Sequence, residues 1–141
     1  MFKKEINLTI VDQLNIYNGS KIISNRQGIG SLVAYRFEKN AEALQKNIED
    51  FEKQRMIIIT ELAVLDENGK PLIENGAFKF KTAELKAEAD KKVSEMIGEL
   101  GEDKFTLWHF EAHEVDKDDK ASITGEIWKL IDKIVVDNNP T

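Results

Sequence analysis

The sequence predicts an α+β protein, mainly helical, in which a long helical hairpin is joined by a small β-hairpin or sheet and by short terminal helices. Apolar side chains recur every three or four residues without a break over residues 32–65, which indicates one long helix. An Asn75-Gly76 pair lies between two short apolar runs, as in a β-hairpin. Residues 105–115 are rich in aromatic side chains, which is typical of a strand.

The bulk composition excludes several classes of protein. The 141 residues predict one domain over residues 1–141. No cysteine is present, so disulfides and thiolate metal sites are ruled out. The net charge of −6 argues against direct binding to nucleic acid, which requires a basic surface. No apolar run is long enough for a membrane span, so we expect no membrane partner and a cytoplasmic protein.

The first part of the chain permits two interpretations. Alternate apolar residues from Ile6 to Ile10 fit a strand, whereas the spacing of apolar residues from Ile10 to Tyr17 fits a helix capped by Thr9. The pattern favours a short helix, although the strand stays open as an alternative. The Asn-Gly pair that ends at Gly19 is expected to terminate this helix, because such a pair readily adopts positive φ.

A short extended piece is expected at residues 21–24, before a glycine-containing loop and the long helix. At 1.5 Å per residue, a helix over residues 32–65 is roughly 50 Å long. Its apolar seam has the heptad spacing of a coiled coil and a single polar member. The seam consists of Ala34, Phe37, Ala41, Leu44, Ile48, Phe51, Arg55, Ile58, Leu62 and Leu65.

The second half of the sequence predicts a turn, a hairpin, a second helix, a strand and a last helix. The turn lies at residues 66–71 and the hairpin at residues 72–80. Thr82 caps a helix that ends before Gly101 and packs against the second half of the long helix.

The strand at 105–115 requires a β partner, either in residues 72–80 or near the N-terminus. Ser122 or Thr124 caps a final helix whose apolar face continues to Ile134. Residues 138–141 are expected to fray.

One cluster of side chains has the composition of a metal site. In a strand, His109, Glu111 and His113 project from the same face, and two imidazoles with a carboxylate can bind a divalent transition metal. The alternative is that these residues form the solvent-exposed face of a half-buried strand, because Trp108, Phe110 and other apolar residues alternate with them. We favour the second interpretation and expect no metal, no cofactor and no catalytic residue.

The length of the long helix predicts self-association. A second helix of about 27 Å, at 1.5 Å per residue, covers only half of the long one. The uncovered part of the seam, namely Phe37, Ala41, Leu44 and Ile48, is therefore expected to form an interface with a second copy. In the alternative, the terminal helices cover these four side chains and the chain is monomeric.

Three stretches of the sequence support a resemblance. Residues 34–44 (AYRFEKNAEAL), residues 66–71 (DENGKP) and residues 75–78 (NGAF), followed by an acidic helix, resemble a family of small uncharacterised proteins of bacteriophages and prophages of Gram-positive bacteria. The resemblance covers about residues 5–135, and only the segment 18–30 is longer than in that family. It implies a protein of the bacterial host cytoplasm, and it transfers no site residues.

These observations lead to three hypotheses of function. The first is a non-enzymatic phage protein that takes part in assembly, interaction with a protein partner or interaction with the host. The second is an acidic inhibitor of a host nucleic-acid-binding enzyme, for which the acidic residues are Glu84, Glu88, Asp90, Glu95, Glu99, Glu102 and Asp103. The third is a metal-dependent enzyme that uses the His109, Glu111 and His113 face.

Overall fold

The computed structural model describes residues 1–136 and divides the chain into two compact units. Unit 1 holds Met1–Ile48 with the described part of Glu102–Thr141, and unit 2 holds Glu49–Gly101. Helices account for 60% and strands for 19% of the described residues, so the predicted mainly helical α+β class is confirmed. The single domain expected over residues 1–141 stays a prediction. The frayed tail expected at residues 138–141 lies outside the described residues.

Unit 1 begins with a strand followed by a helix, the two elements between which the sequence pattern leaves the choice open. Strand β1 (Phe2–Thr9) runs directly into helix α1 (Ile10–Ser24). Thr9 caps this helix as expected: the backbone N–H of Asp12 donates to the Thr9 hydroxyl, and the backbone N–H of Thr9 donates to the Asp12 carboxylate, both at 3.2 Å. The strand and the helix interpretations are therefore each correct for part of the segment.

The predicted end of α1 at Gly19 is wrong, because the helix continues to Ser24 and no extended piece follows at residues 21–24. A Cβ atom on Gly19 would lie 2.6 Å from Ile131 Cγ2 and 2.9 Å from Leu130 Cβ. This glycine therefore serves close packing against the C-terminal segment rather than a turn.

Strand β4 (Glu102–Glu111) is the centre of a three-stranded sheet with the order β1-β4-β5. It pairs antiparallel with β1 along its whole length, from Phe2 opposite His109 to Thr9 opposite Glu102. Of the two β partners considered from the sequence, the N-terminal one is therefore correct. Strand β5 (Val135–Val136) pairs parallel to β4 at Phe110 and Glu111.

The strand predicted at residues 105–115 begins and ends too late, because β4 starts at Glu102 and residues 112–115 form the short helix α4 (Ala112–Val115). The backbone N–H of Glu111 donates to the Glu114 carboxylate at 3.0 Å, which stabilises the first turn of the helix. The final helix is also shorter than expected. Helix α5 (Gly125–Leu130) is followed by a 3₁₀ turn (Asp132–Ile134) and then by β5.

The core of unit 1 joins the sheet to α1, α5 and the first half of helix α2 (Ser31–Leu62). Its largest fully buried apolar side chains come from β1, α1, α2, β4, α4 and the segment that follows α5. They are Leu8, Ile16, Ile23, Phe37, Leu44, Leu107, Phe110, Val115, Ile131 and Ile134.

Unit 2 contains the second half of α2, a two-stranded hairpin and helix α3 (Ala83–Leu100). Strands β2 (Ile73–Glu74) and β3 (Ala77–Phe78) are joined by Asn75 and Gly76, which both have positive φ, as the hairpin prediction requires. Thr82 caps α3 through a 3.2 Å bond from the Leu85 N–H. The predicted bounds of α3 are confirmed. Arg55 and Ile59 of α2 line a common pocket with Lys86 and Asp90 of α3.

Candidate functional site

The three residues considered as metal ligands do not share one face of a strand. His109 is in β4 and only 4% exposed. Its Nδ1 lies 3.0 Å from the Leu107 carbonyl oxygen, and its ring stacks on Phe2 with centroids 5.6 Å apart. Burial lowers the pKa of His109, the hydrogen bond with Leu107 opposes this, and the charge of Lys4 adds to it. His109 is therefore a neutral core residue at physiological pH.

Glu111 is the last residue of β4, and His113 lies beyond the end of the strand. His113 belongs to α4 and is exposed, with its Nε2 3.3 Å from Glu111 Oε2. Because the chain turns into a helix at Ala112, the alternation that would place His109 and His113 on one face no longer applies. Across residues 1–136 no group of three or more His, Cys, Asp or Glu side chains could hold a metal ion.

The four residues predicted to form a dimer interface lie in the core of unit 1. Phe37 and Leu44 have no exposed surface, and Ala41 and Ile48 are also buried. The interface prediction for Phe37, Ala41, Leu44 and Ile48 is therefore wrong, because side chains covered by their own chain present no surface to a second copy. The Phe37 ring packs on Phe110 of strand β4, an element that neither interpretation of the sequence placed over the seam.

Asn40 and Phe37 fix the position of α2 against β4. The Asn40 side chain accepts a bond from the Trp108 N–H at 2.8 Å and donates to the Trp108 carbonyl at 2.9 Å. One turn earlier, the Phe37 ring stacks on Phe110 with centroids 4.1 Å apart and planes 5° apart. Trp108 is thereby held where α2 meets the sheet.

Two cations lie against the Trp108 indole. The Arg36 guanidinium carbon is 3.8 Å from the ring centroid, and the Lys3 ammonium is 5.4 Å from it. Lys3 is the direct partner of Trp108 in the β1–β4 register, so the two side chains lie on the same face of the sheet. Arg36 reaches the ring from α2. Both distances are within the range of cation–π attraction.

A groove of about 320 Å³ adjoins this cluster. We call it the Trp108 groove, and it is lined by Lys3, Tyr35, Lys39, Asn40, Ala43, Thr106 and Trp108. Tyr35 is 58% exposed, and the Lys39 ammonium lies 5.3 Å from its ring centroid. The groove therefore combines two aromatic rings with cationic side chains on a protein whose net charge is −6.

Of the cations Lys3, Arg36 and Lys39, only Lys39 is paired with a carboxylate of the described residues. Lys39 forms an ion pair with Glu42 at 3.2 Å. In contrast, no carboxylate among residues 1–136 lies within ion-pair distance of Lys3 or Arg36. The Arg36 Nη1 instead contacts the Met1 sulfur at 3.4 Å. Lys3 in the Trp108 groove and Arg36 on the Trp108 ring beside it thus carry positive charge that can bind an anionic group.

Sequence reasoning missed this site because it depends on a strand pairing. Trp108 was expected on the apolar face of a strand, and no role was predicted for Arg36 or Lys39. The register that places Lys3 opposite Trp108 could be obtained only by choosing β1 over a helix in the first residues. One signal was present: Arg36 and Asn40 are four residues apart beside the seam, so they share one side of the helix.

None of the helices within residues 1–136 has the length and apolar character needed to cross a membrane. The comparisons with known proteins add no relative: the scan of family models, the search of curated proteins and the search of solved structures each found no match. The Trp108 groove is therefore assigned from its own geometry and charge.

Proposed function

We propose that the chain is a non-enzymatic interaction protein of a bacteriophage or prophage, and that it uses the Trp108 groove to bind an acidic segment of a partner protein. The observation that carries this proposal is the placement of Lys3 and Arg36 at 5.4 Å and 3.8 Å from one indole, with no described carboxylate paired to either. The sequence resemblance supports the phage origin, with the cytoplasm of the bacterial host as the site of action.

The chemistry of the groove favours carboxylates. A guanidinium that rests on an aromatic face has already lost much of its rotamer freedom, and its planar edge can bind a carboxylate with two hydrogen bonds. Lys3 adds a compact second charge, and the exposed Tyr35 ring supplies apolar contact area. An extended segment with two acidic side chains matches this combination. The net charge of −6 would repel a long polyanion such as nucleic acid from the rest of the surface.

The two other hypotheses find less support. In α3, Lys92 lies 3.5 Å from Glu88 and Lys91 lies 4.0 Å from Glu95. These pairs interrupt the acidic stripe that an inhibitor of a nucleic-acid-binding enzyme needs. The metal-dependent enzyme has no ligand set among residues 1–136, because His109 is buried and turned to the Leu107 carbonyl.

A fluorescence titration tests the binding chemistry directly. Trp128→Phe leaves Trp108 as the single indole of the chain. In this background we expect hexaglutamate to change the Trp108 emission, hexaglutamine to leave it unchanged, and added salt to weaken the effect. The double variant Lys3→Gln/Arg36→Gln should lose the response. Lys91→Gln/Lys92→Gln, which removes the same charge from α3, should retain it.

Two results would contradict the acidic-peptide proposal. One is an equal fluorescence response to hexaglutamate in Lys3→Gln/Arg36→Gln (the groove variant) and in Lys91→Gln/Lys92→Gln (the α3 variant). The other is tighter binding of single-stranded oligothymidine than of hexaglutamate, which would make nucleic acid the partner.

Recovery of partners from infected bacterial cells tests the phage role. A partner retained by the wild type and the α3 variant, but not by the groove variant, supports the role, and equal retention by all three contradicts it.

A further inference from the structure

We infer that two copies of this chain associate through an antiparallel pairing of α2 in unit 2, centred on Ile57. This inference rests on a surface distant in sequence from the Trp108 groove and is independent of the proposed function. It also differs from the self-association expected from the sequence, which used the seam residues Phe37, Ala41, Leu44 and Ile48 of unit 1.

The surface is the outer face of α2 in unit 2. We call it the Ile57 face, and it consists of Glu49, Glu52, Lys53, Met56, Ile57, Thr60 and Glu61. These positions recur every three or four residues, so they form one stripe of the helix. Together they line a shallow depression of about 770 Å³. Ile57 at its centre is 54% exposed.

The opposite side of the same helix segment is already occupied within unit 2. Ile59 is buried, and Arg55 and Ile59 line a pocket together with Phe78 and Phe80. The Ile57 face is therefore not the side on which α2 packs in its own unit. Ile57 is more than half exposed, and the half-buried Met56 and Thr60 lie beside it, so the three side chains form one contiguous, mainly apolar surface.

Two opposite charges that flank Ile57 on this face identify the occupant. Lys53 precedes Ile57 by one helical turn, and Glu61 follows it by one turn. In an antiparallel pair centred on Ile57, residues equally distant from the centre meet, so each Lys53 lies opposite the Glu61 of the other copy. A parallel pair would instead place Lys53 opposite Lys53. The face is thus complementary to itself in one direction only.

Lys53 and Glu61 are available for this pairing. Neither forms an ion pair with another described residue. Glu52, in contrast, is already bound to Arg55 at 3.1 Å, and Glu49 also has an interaction of its own. The dimer therefore forms two new ion pairs around a centre of two Ile57 and two Met56 side chains.

The contact is short, which sets the expected affinity. The Ile57 face extends from Glu49 to Glu61, about 20 Å at 1.5 Å per residue, whereas specific interfaces bury about 1,200 Å² or more. A reversible dimer with a dissociation constant in the micromolar range is expected. Sedimentation equilibrium from low to high micromolar concentration should show a mass that rises from 16.1 kDa toward twice that value.

Charge reversal tests the direction of the pairing. Lys53→Glu and Glu61→Lys should each raise the dissociation constant by about tenfold, because each creates two like-charge contacts. The double variant Lys53→Glu/Glu61→Lys should restore the wild-type value, since the charges are again complementary. In a parallel pair the double variant would stay repulsive. Restoration also shows that the single variants did not fail by misfolding.

Ile57→Asp should abolish the dimer, whereas Leu32→Ser, which changes a similarly exposed apolar residue of unit 1 (52% exposed), should leave it unchanged. Helix content by circular dichroism confirms that both variants are folded. A mass of 16.1 kDa at all concentrations would overturn the inference. So would a dimer that persists in folded Ile57→Asp, or a double charge variant that stays as weak as the singles.

Discussion

The side-chain amide of Asn40 hydrogen-bonds both the N–H and the carbonyl of Trp108, at 2.8 Å and 2.9 Å. In this way one residue of a helix satisfies two backbone hydrogen-bonding groups of β4, as a neighbouring strand would. Strand β5 pairs with β4 only at Phe110 and Glu111, so Asn40 continues the pairing on that edge by one residue. A buried asparagine beside an apolar seam thereby has a defined structural role.

Replacing Asn40 by leucine should lower the free energy of unfolding by roughly 2 kcal/mol or more, because the Trp108 N–H and carbonyl lose their partners. Urea denaturation at neutral pH measures the loss. Asn18→Leu, at an exposed position of α1, is the control and should change stability by less than about 0.5 kcal/mol. Equal effects of the two substitutions would show that the Asn40 bonds contribute nothing.

Glycine-to-alanine substitutions in two helices should have opposite effects. At Gly19 the added Cβ would lie 2.6 Å from Ile131 Cγ2, so the overlap should destabilise the chain by about 1–3 kcal/mol. At Gly98 in α3 nothing lies within 4 Å of the added atom, and alanine should stabilise by roughly 0.5–1 kcal/mol. Melting temperatures of the two variants would contradict this account if they shifted in the same direction.

Leu44 distinguishes the core from an interface. It has no exposed surface in the single chain, so Leu44→Ala should cost about 2–5 kcal/mol and Leu44→Asp should prevent unit 1 from folding. If Leu44 were instead part of a dimer contact, Leu44→Asp would remain folded and merely become monomeric. Circular dichroism combined with light scattering separates the two outcomes.

The buried His109 should make the chain less stable in mild acid. Its pKa is lowered in the folded state, chiefly by burial, whereas in the unfolded chain it is about 6.5. As the pH falls below about 6.5, the unfolded chain takes up a proton that the folded chain resists, so the free energy of unfolding falls. Urea midpoints at pH 7.5 and 5.5 test this. His109→Gln should reduce the difference, and an unchanged difference would exclude His109 as its source.

The elements that the sequence predicted well are those whose signals are local. The heptad seam placed α2, although its last member, Leu65, lies beyond the end of the helix at Leu62 and is exposed. Thr82 placed the start of α3, and the Asn75-Gly76 pair placed the hairpin. The errors arose where distant residues decide the local structure. Gly19 looked like a helix terminator, but its small size serves contact with Ile131. No pattern in residues 135–136 indicates that they pair with β4.

The site was predicted less well than the fold, for the same reason. The residue types of His109, Glu111 and His113 suggested chemistry, but the ring of His109 lies among Phe2 and Leu107. The Trp108 groove requires knowledge that β1 lies beside β4 and that α2 crosses them at Asn40. Charge and aromatic content alone do not predict that arrangement, because each of its residues is of a type that is common on protein surfaces.

The order of the units along the chain has a consequence for synthesis on the ribosome. Unit 2 separates β1, α1 and the first half of α2 from β4 in the sequence, because β1 precedes Glu49 and β4 follows Gly101. When β1, α1 and the apolar seam of α2 leave the ribosome, β4, the strand that completes unit 1, has therefore not yet been synthesised. Unit 1 completes its sheet only after the whole of unit 2 has been translated, so the nascent chain exposes the surface of Phe37 and Leu44 to chaperones until then.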